Sequence, residues 1–135
     1  MKIFDKTMSL LQQTLDLRAA RHRVIASNIA NEETPGYRAK ELQFLETLSS
    51  AVHGTPGGRL LVTNSRHLGP RGNAVEGVRG HLTDIPAADL PLDANSVNLE
   101  HEMAKLADNG INYNGAATIL SIRFRQLLDV VRNGQ

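Results

Sequence analysis

The five histidines are the side chains of this sequence best suited to proton transfer or metal binding. They are His22, His53, His67, His81 and His101. None of them belongs to an HExxH motif or to a comparable cluster of metal ligands. The stretch EHEM at 100–103 is interpreted as a solvent-exposed capping turn of a helix. We therefore expect no metal site.

The other residues that could do chemistry lack the patterns that catalysis needs. The stretch GTPGG at 54–58 is glycine-rich, but it lacks the Lys-Ser/Thr pair and the strand–helix setting of a phosphate-binding loop. The chain has no cysteine, which excludes disulfides and thiolate chemistry. No motif pairs a serine or threonine with a general base. We expect no catalytic residues, no cofactor and no enzymatic activity.

One helical segment carries a cluster of basic residues: Arg18, Arg21, His22 and Arg23. A nucleic-acid site would need more positive charge and interleaved aromatic side chains, whereas the formal net charge of the chain is only +1. We expect no nucleic-acid partner. The cluster is either a solvated helix face or a contact for an acidic surface on a neighbouring molecule.

The length and the N-terminal sequence limit the kind of protein this can be. A chain of 135 residues forms one domain with one modest core. The segment MKIFDKTMSLLQQTLDL has no continuous apolar run and no small-residue cleavage site. It therefore encodes neither a cleavable signal peptide nor a transmembrane helix, and we expect no direct membrane insertion.

Both ends of the chain have helical periodicity. In residues 1–31, apolar side chains recur at alternating spacings of four and three, interrupted only by Arg18 and His22. In residues 96–132 the same alternation runs from Leu99 to Val131 and predicts a stripe about 50 Å long. Either Asn95 or Ser96 is expected to cap this second helix.

Two glycines interrupt the second helical pattern, in the stretch DNGINYNG at 108–115. Glycine costs about 1 kcal/mol in a helix interior. Gly110 falls on the apolar stripe, where it either allows a close approach of another backbone or marks a local kink. The sequence leaves these two possibilities open.

Residues 49–95 differ in composition from both ends. They contain seven of the eleven glycines and four of the five prolines, and no aromatic residue. They predict an irregular middle with short strands, of which RLLVT at 59–63 is the best candidate. We expect Leu60, Leu61, Val62 and Leu68 to pack on the helices or on a neighbouring subunit, and insertions near Gly57 to be tolerated.

The stretch ASNIANEETPGY at 26–37 predicts how the first helix ends. Proline disfavours helical geometry at the residue before it, and Gly36 supplies the positive φ that a type II turn requires after Pro35. Asn28 and Asn31 are suited to satisfying backbone groups near a helix end. We expect a turn and loop over 32–48, in which Tyr37 and Phe44 anchor the returning chain.

Energetics indicate that the long apolar stripes need partners. Burying eight large apolar side chains of the second helix contributes about 12–24 kcal/mol, whereas ordering about thirty-five backbone residues costs about 35–70 kcal/mol. Helical hydrogen bonds offset part of this cost. The first helix is the shorter of the two, so we expect part of the second stripe to be covered by the middle segment or by another molecule.

The two ends together resemble the bacterial flagellar axial proteins, the family of the rod, the hook and the hook–filament junction. The resemblance rests on ASNIANEETPGY and on NSVNLEHEMAKLADNGINYNGAATILSIRFRQLLDVV at 95–131, especially Val97, Leu99, Glu100, Glu102, Met103, Asn109 and Tyr113. The short length, TPGYRAKELQF, TNSRHL at 63–68 and ILSIRFRQLL are most similar to the proximal-rod members. The resemblance covers about residues 8–45 and 93–132.

The resemblance implies the fold, which is mainly α, with long N- and C-terminal helices packed as a coiled-coil hairpin and an irregular Gly/Pro-rich middle carrying short β segments. It also implies a single structural subunit that assembles helically into the proximal rod. The implied interface residues are Leu11, Leu15, Ile25, Asn28, Ile29, Asn31, Thr34, Pro35, Gly36, Tyr37, Met103, Leu106, Tyr113, Leu120, Phe124 and Leu127.

The implied partners are other rod subunits, a FliE-type adaptor and the MS-ring and export-gate proteins. The implied location is the periplasmic rod of the basal body, reached through the flagellar type III apparatus without a cleaved signal. A non-polymerising helical adaptor or secretion cochaperone is the alternative. A cochaperone would be a fully folded dimer in solution, whereas a free rod subunit would have mobile ends.

Overall fold

The protein is mainly α-helical in a computed structural model that describes residues 2–53, 78–86 and 95–133. The strand candidate 59–63 and the expectations for Gly57, Leu60, Leu61, Val62 and Leu68 lie outside these residues. The described elements are α1 (Lys2–Ala30), β1 (Lys40–Gln43), α2 (Leu45–His53), β2 (His81–Asp84) and α3 (Leu99–Asn133). The prediction of a mainly α protein is confirmed.

Helix α1 ends as its sequence requires. The amide of Asn31 donates to the carbonyl of Asn28 at 3.1 Å, which tightens the last turn. A β-turn follows, closed by a hydrogen bond of 3.2 Å from the amide of Tyr37 to the carbonyl of Thr34. Gly36 has a φ of 72°. With proline before this glycine, the turn is of type II, as predicted.

Helix α3 begins later than the sequence pattern suggested. The side chain of Asn98 caps it by accepting a hydrogen bond of 3.0 Å from the amide of His101. The expectation that Asn95 or Ser96 would be the cap is therefore wrong, because both of these side chains bind other parts of the chain.

The two glycines do not interrupt α3. The helix is continuous through Gly110 and Gly115, and a Cβ atom built on either residue would meet no atom within 4 Å. Of the two possibilities that the sequence left open at Gly110, the close approach of another backbone does not occur within the described residues.

The two long helices pack against each other and run antiparallel. The side chain of Asn109 contacts the backbone of Arg18, and Glu102 contacts Asn28, so the chain positions run in opposite directions. Sixteen residues of α1 precede Arg18, and 24 residues of α3 follow Asn109. At ~1.5 Å per residue, α3 therefore extends about 12 Å beyond the start of α1.

A two-stranded sheet and a short helix also pack against α1. Strands β1 and β2 pair antiparallel, with Lys40 opposite Asp84 and Gln43 opposite His81. The loop expected over 32–48 thus contains a strand and the start of α2. The core consists of Leu17, Phe44, Leu48 and Val78, with Leu10, Leu42 and Ala51 packed around it.

The apolar stripe predicted on α1 leaves out two residues that pack in this core. Leu10 and Leu17 each precede a predicted stripe position by one residue, and they pack toward the sheet and α2. His22, which was placed on the stripe, is exposed. Helix α1 thus buries two faces, one against α3 and the other against the sheet and α2. None of the helices described is long and apolar enough to cross a membrane.

Candidate assembly interface

The end of α1 is bound to the segment before α3 by one buried amide. The Nδ2 atom of Asn95 lies 3.0 Å from the carbonyl oxygen of Asn31, 2.6 Å from that of Glu32 and 2.8 Å from that of Thr34. Its Oδ1 atom accepts a hydrogen bond of 2.8 Å from the amide of Val97. These carbonyl groups follow the last residue of α1, and those of Asn31 and Thr34 also accept hydrogen bonds within the turn. Asn95 supplies a further donor and so joins this turn to the segment before α3.

A second buried amide connects α1 to both β1 and α3. Asn28 is fully buried. Its side chain accepts from the amide of Lys40 at 3.0 Å and donates to the carbonyl of the same residue at 2.7 Å, as a neighbouring strand would. Its Nδ2 atom also donates to Oε2 of Glu102 at 2.8 Å. The edge of β1 is thereby satisfied by a side chain of the helix.

The carboxylate of Glu102 is almost completely buried and is compensated by two donors. Besides Asn28, the ammonium group of Lys105 donates to its Oε1 atom at 3.0 Å. Lys105 also lies 3.8 Å from a carboxylate oxygen of Glu41, whose other oxygen accepts from Arg21 at 2.9 Å. A buried charge is tolerable only when it is paired and hydrogen-bonded in this way.

The burial of Glu102 corrects the interpretation of EHEM as a solvent-exposed turn. Glu100, His101 and Met103 are exposed, but Glu102 faces α1 and only 2% of its surface is accessible. Residues two apart on a helix point to different faces, so Glu102 can be buried while Glu100 remains in water.

A third buried amide holds the middle of the helix pair. Asn109 donates to the backbone carbonyl of Arg18 at 2.9 Å. The guanidinium of Arg18 lies 5.9 Å from the centre of the Phe44 ring, within the range of a cation–π contact. Burial lowers the pKa of Arg18, and the nearby Arg21 lowers it further, whereas Asp108 acts in the opposite direction. Arginine remains charged at any physiological pH.

The sequence did not predict three of the buried polar residues at this site, which are Asn95, Glu102 and Asn109. They are separated by seven residues each in the sequence. Glu102 and Asn109 lie on the face of α3 that contacts α1, whereas Asn95 lies four residues before this helix begins. A repeat of amide and carboxyl side chains at heptad spacing within an otherwise apolar stripe is the signal that could have identified them.

The predicted interface residues fall into two groups in the structure. Ile25 and Asn28 are buried, and eight others are half-buried within the chain: Leu11, Leu15, Ile29, Asn31, Tyr37, Leu106, Leu120 and Leu127. The remaining six are exposed: Thr34, Pro35, Gly36, Met103, Tyr113 and Phe124. The first group includes residues that hold the chain together, and only the second is fully available to another molecule.

Two members of the basic cluster contact other side chains of the same chain. Arg21 pairs with Glu41, and Arg18 stacks on Phe44, whereas His22 and Arg23 are exposed. Within residues 2–53, 78–86 and 95–133, no three histidine or acidic side chains are grouped closely enough to hold a metal ion.

The C-terminal half of α3 carries six of the twelve exposed large apolar side chains among the described residues. Its exposed side chains are Ile119, Ile122, Phe124, Leu128, Val130 and Val131, with accessible fractions of 49–69%. The last of them lie where α3 extends beyond α1. Because soluble monomers rarely expose so many large apolar side chains on one short segment, this end of α3 is the strongest candidate for a contact with another molecule.

Comparison with known proteins identifies the family. No protein-family model matches the chain. The chain is 33% identical to the flagellar basal body rod protein FlgB of Salmonella typhimurium, over 96% of each chain. It is 32% identical to that of Yersinia ruckeri and 29% identical to that of Escherichia coli, again over 96% of each chain. Similarity at this level over almost the whole length places this chain in the family of the flagellar basal body rod protein FlgB.

Proposed function

We propose that this protein is a structural subunit that forms the proximal rod of the bacterial flagellar basal body, and that flagellar motility requires it. It assembles helically with copies of itself and with other rod proteins. The observation that carries this proposal, beyond the family, is the exposed apolar end of α3, which no described part of the same chain covers.

The size of this apolar surface supports assembly rather than an isolated monomer. Complete burial of the six side chains, each about half exposed, would contribute about 5–9 kcal/mol. Association costs about 4–15 kcal/mol in lost translational and rotational freedom. One contact of this kind is therefore marginal, and several neighbours in a helical array are needed to make it stable.

The arrangement of the helices suggests how the array is built. We infer that α1 and α3 form a coiled-coil layer, in which the free end of α3 from one subunit packs against the helices of its neighbours. The FliE-type adaptor and the proteins of the MS-ring and the export gate are the proposed partners at the base of the rod. The proposed route is export through the flagellar type III apparatus without a cleaved signal, and the proposed location is the periplasmic part of the basal body.

Replacing Phe124 by aspartate tests this proposal. Phe124 is 51% exposed, so Phe124→Asp should leave the isolated chain folded, with a helical circular-dichroism spectrum like that of the unmodified protein. In the rod the new carboxylate would have to lose its water with no partner, and incorporation should fall at least tenfold. The measurement is the amount of the protein in purified basal bodies, together with swimming motility.

Ser121→Asp is the matched control, because Ser121 is an exposed polar residue one turn before Phe124 on the same helix. It should assemble normally. Basal bodies that contain Phe124→Asp at the normal stoichiometry would refute the proposed role of this surface.

A further inference from the structure

Five polar side chains from three elements form a series of contacts that begins and ends on α1, which we call the ring. Arg21 of α1 binds Glu41 of β1, and Glu41 lies beside Lys105 of α3. Lys105 binds Glu102, and Glu102 accepts from Asn28, which returns the ring to α1. We propose that this ring selects a single alignment of α1 against α3 from the alternatives that the apolar stripes allow.

The apolar stripes specify the alignment only weakly. On both helices the large apolar side chains recur at spacings of four and three, so they repeat every seven residues. A shift of one helix by seven residues moves it by about 10 Å and again places apolar side chains opposite each other. A polar group that must find a particular partner is what distinguishes such alignments in other helix pairs.

Glu102 and Asn109 provide this distinction, because both face α1 from positions seven residues apart on α3 and only Glu102 is charged. In the observed alignment, Asn28 of α1 donates to the carboxylate of Glu102, and Lys105 of α3 donates to its other oxygen. Asn109 donates to the backbone carbonyl of Arg18 instead.

A shift of α3 by seven residues in one direction would bring Glu102 to the place of Asn109, which faces the carbonyl oxygen of Arg18. A shift in the other direction would carry Glu102 past Ala30, the last residue of α1. In both cases the carboxylate would lose the amide donor of Asn28 and keep only Lys105, which moves with it on the same helix. In the first case it would also be buried against an acceptor, which is strongly unfavourable. The negative charge of Glu102 therefore disfavours that alignment, whereas an amide at this position would not.

The absence of cysteine makes the alignment measurable in the full chain. Gln12→Cys on α1 and Ala107→Cys on α3 are both at exposed positions and can carry spin labels. Pulsed electron paramagnetic resonance on the labelled, dilute protein should give one narrow distance. Glu102→Gln keeps the size of the side chain and removes its charge, so we expect a second distance population that differs by several ångströms. The matched control is Glu100→Gln, an exposed carboxylate two residues away, which should keep the single distance.

Lys105→Gln is the second variant, because it removes the contact of 3.8 Å between α3 and Glu41 of β1 at a side chain that is 17% exposed. It should also give a second population. A single unchanged distance in both folded variants would overturn the proposal. Loss of helical structure in both variants would overturn it too, since the ring would then hold the fold as a whole and not select between alignments. The measurement uses single chains in solution, so its outcome does not depend on the proposed role in the rod.

Discussion

At the level of single residues, three buried amide side chains join segments that are far apart in the chain. Asn28, Asn95 and Asn109 each bind main-chain groups of another segment, and all three are almost completely buried. An amide can donate and accept at once without introducing a charge, and Asn28 and Asn95 do both with backbone groups, whereas Asn109 donates. These residues fix where the segments meet, whereas the apolar side chains supply the general attraction.

Asn95 provides a direct test of this role. We expect Asn95→Ala to lower the free energy of unfolding by about 1–2 kcal/mol, because the hydrogen bonds from this buried amide to the carbonyl groups that follow α1 are lost. Asn95→Asp should cost more, since a carboxylate would face the same oxygens. Urea denaturation monitored by circular dichroism measures both changes.

Asn114→Ala is the control for Asn95, because Asn114 is an exposed asparagine within α3. It should change the stability by less than about 0.5 kcal/mol. Equal effects at the two positions would show that the contacts of Asn95 contribute nothing specific.

At the level of the elements, the glycines have opposite roles in α3 and beside the sheet. Gly115 lies inside the helix with open space around it, so only its high backbone entropy in the unfolded chain matters. Gly80 precedes β2, and a Cβ atom there would come within 2.7 Å of Cγ of Leu42. The first glycine weakens its element, and the second allows two segments to approach.

This difference predicts substitutions of opposite sign. Gly115→Ala should raise the free energy of unfolding by about 0.5–1 kcal/mol, because alanine is the better helix former. Gly80→Ala should lower it by about 1–2 kcal/mol, because Leu42 must move out of its packed position. Urea denaturation of the two variants beside the unmodified chain measures both. A destabilised Gly115→Ala would contradict the open surroundings of that residue.

At the level of the whole molecule, the two ends of the helix pair differ in character. The end near the turn carries the buried amides of Asn28 and Asn95 and the ion pairs, whereas the other end carries the exposed apolar side chains of α3. The first end holds the chain together, and the second is available for neighbours. We expect a subunit built in this way to fold alone and to complete its burial only on assembly.

Hydrogen exchange should reveal this asymmetry. In the isolated chain, we expect the amides of α3 that lie opposite α1, over 102–118, to exchange at least about 100-fold more slowly than those over 126–132. In assembled rods the difference should largely disappear, because neighbouring subunits then cover the free end. Residue-level exchange measured on both forms tests this.

The opposite result has a definite meaning. Uniform protection up to residue 131 in the isolated chain would indicate that the end of α3 already has a partner in solution. That behaviour would be expected of a non-polymerising adaptor or cochaperone.

The features that the sequence determined by itself are local. The spacings of four and three predicted two long helices, and these are α1 and α3. Pro35 and Gly36 predicted a type II turn, and the turn and the positive φ are present. Each of these depends on residues within a few positions of one another, so the chemistry of the short segment is sufficient to specify it.

The features that only the tertiary structure decided depend on residues far apart in the chain. Strand β1 exists because Lys40–Gln43 pairs with His81–Asp84 and is bound on its other edge by Asn28. Glu102 is buried because Asn28, 74 residues away, offers it a donor, whereas Glu100 on the same turn remains in water. Helical periodicity places a residue on a face of its helix, but the partner on that face decides whether a polar side chain can be buried there.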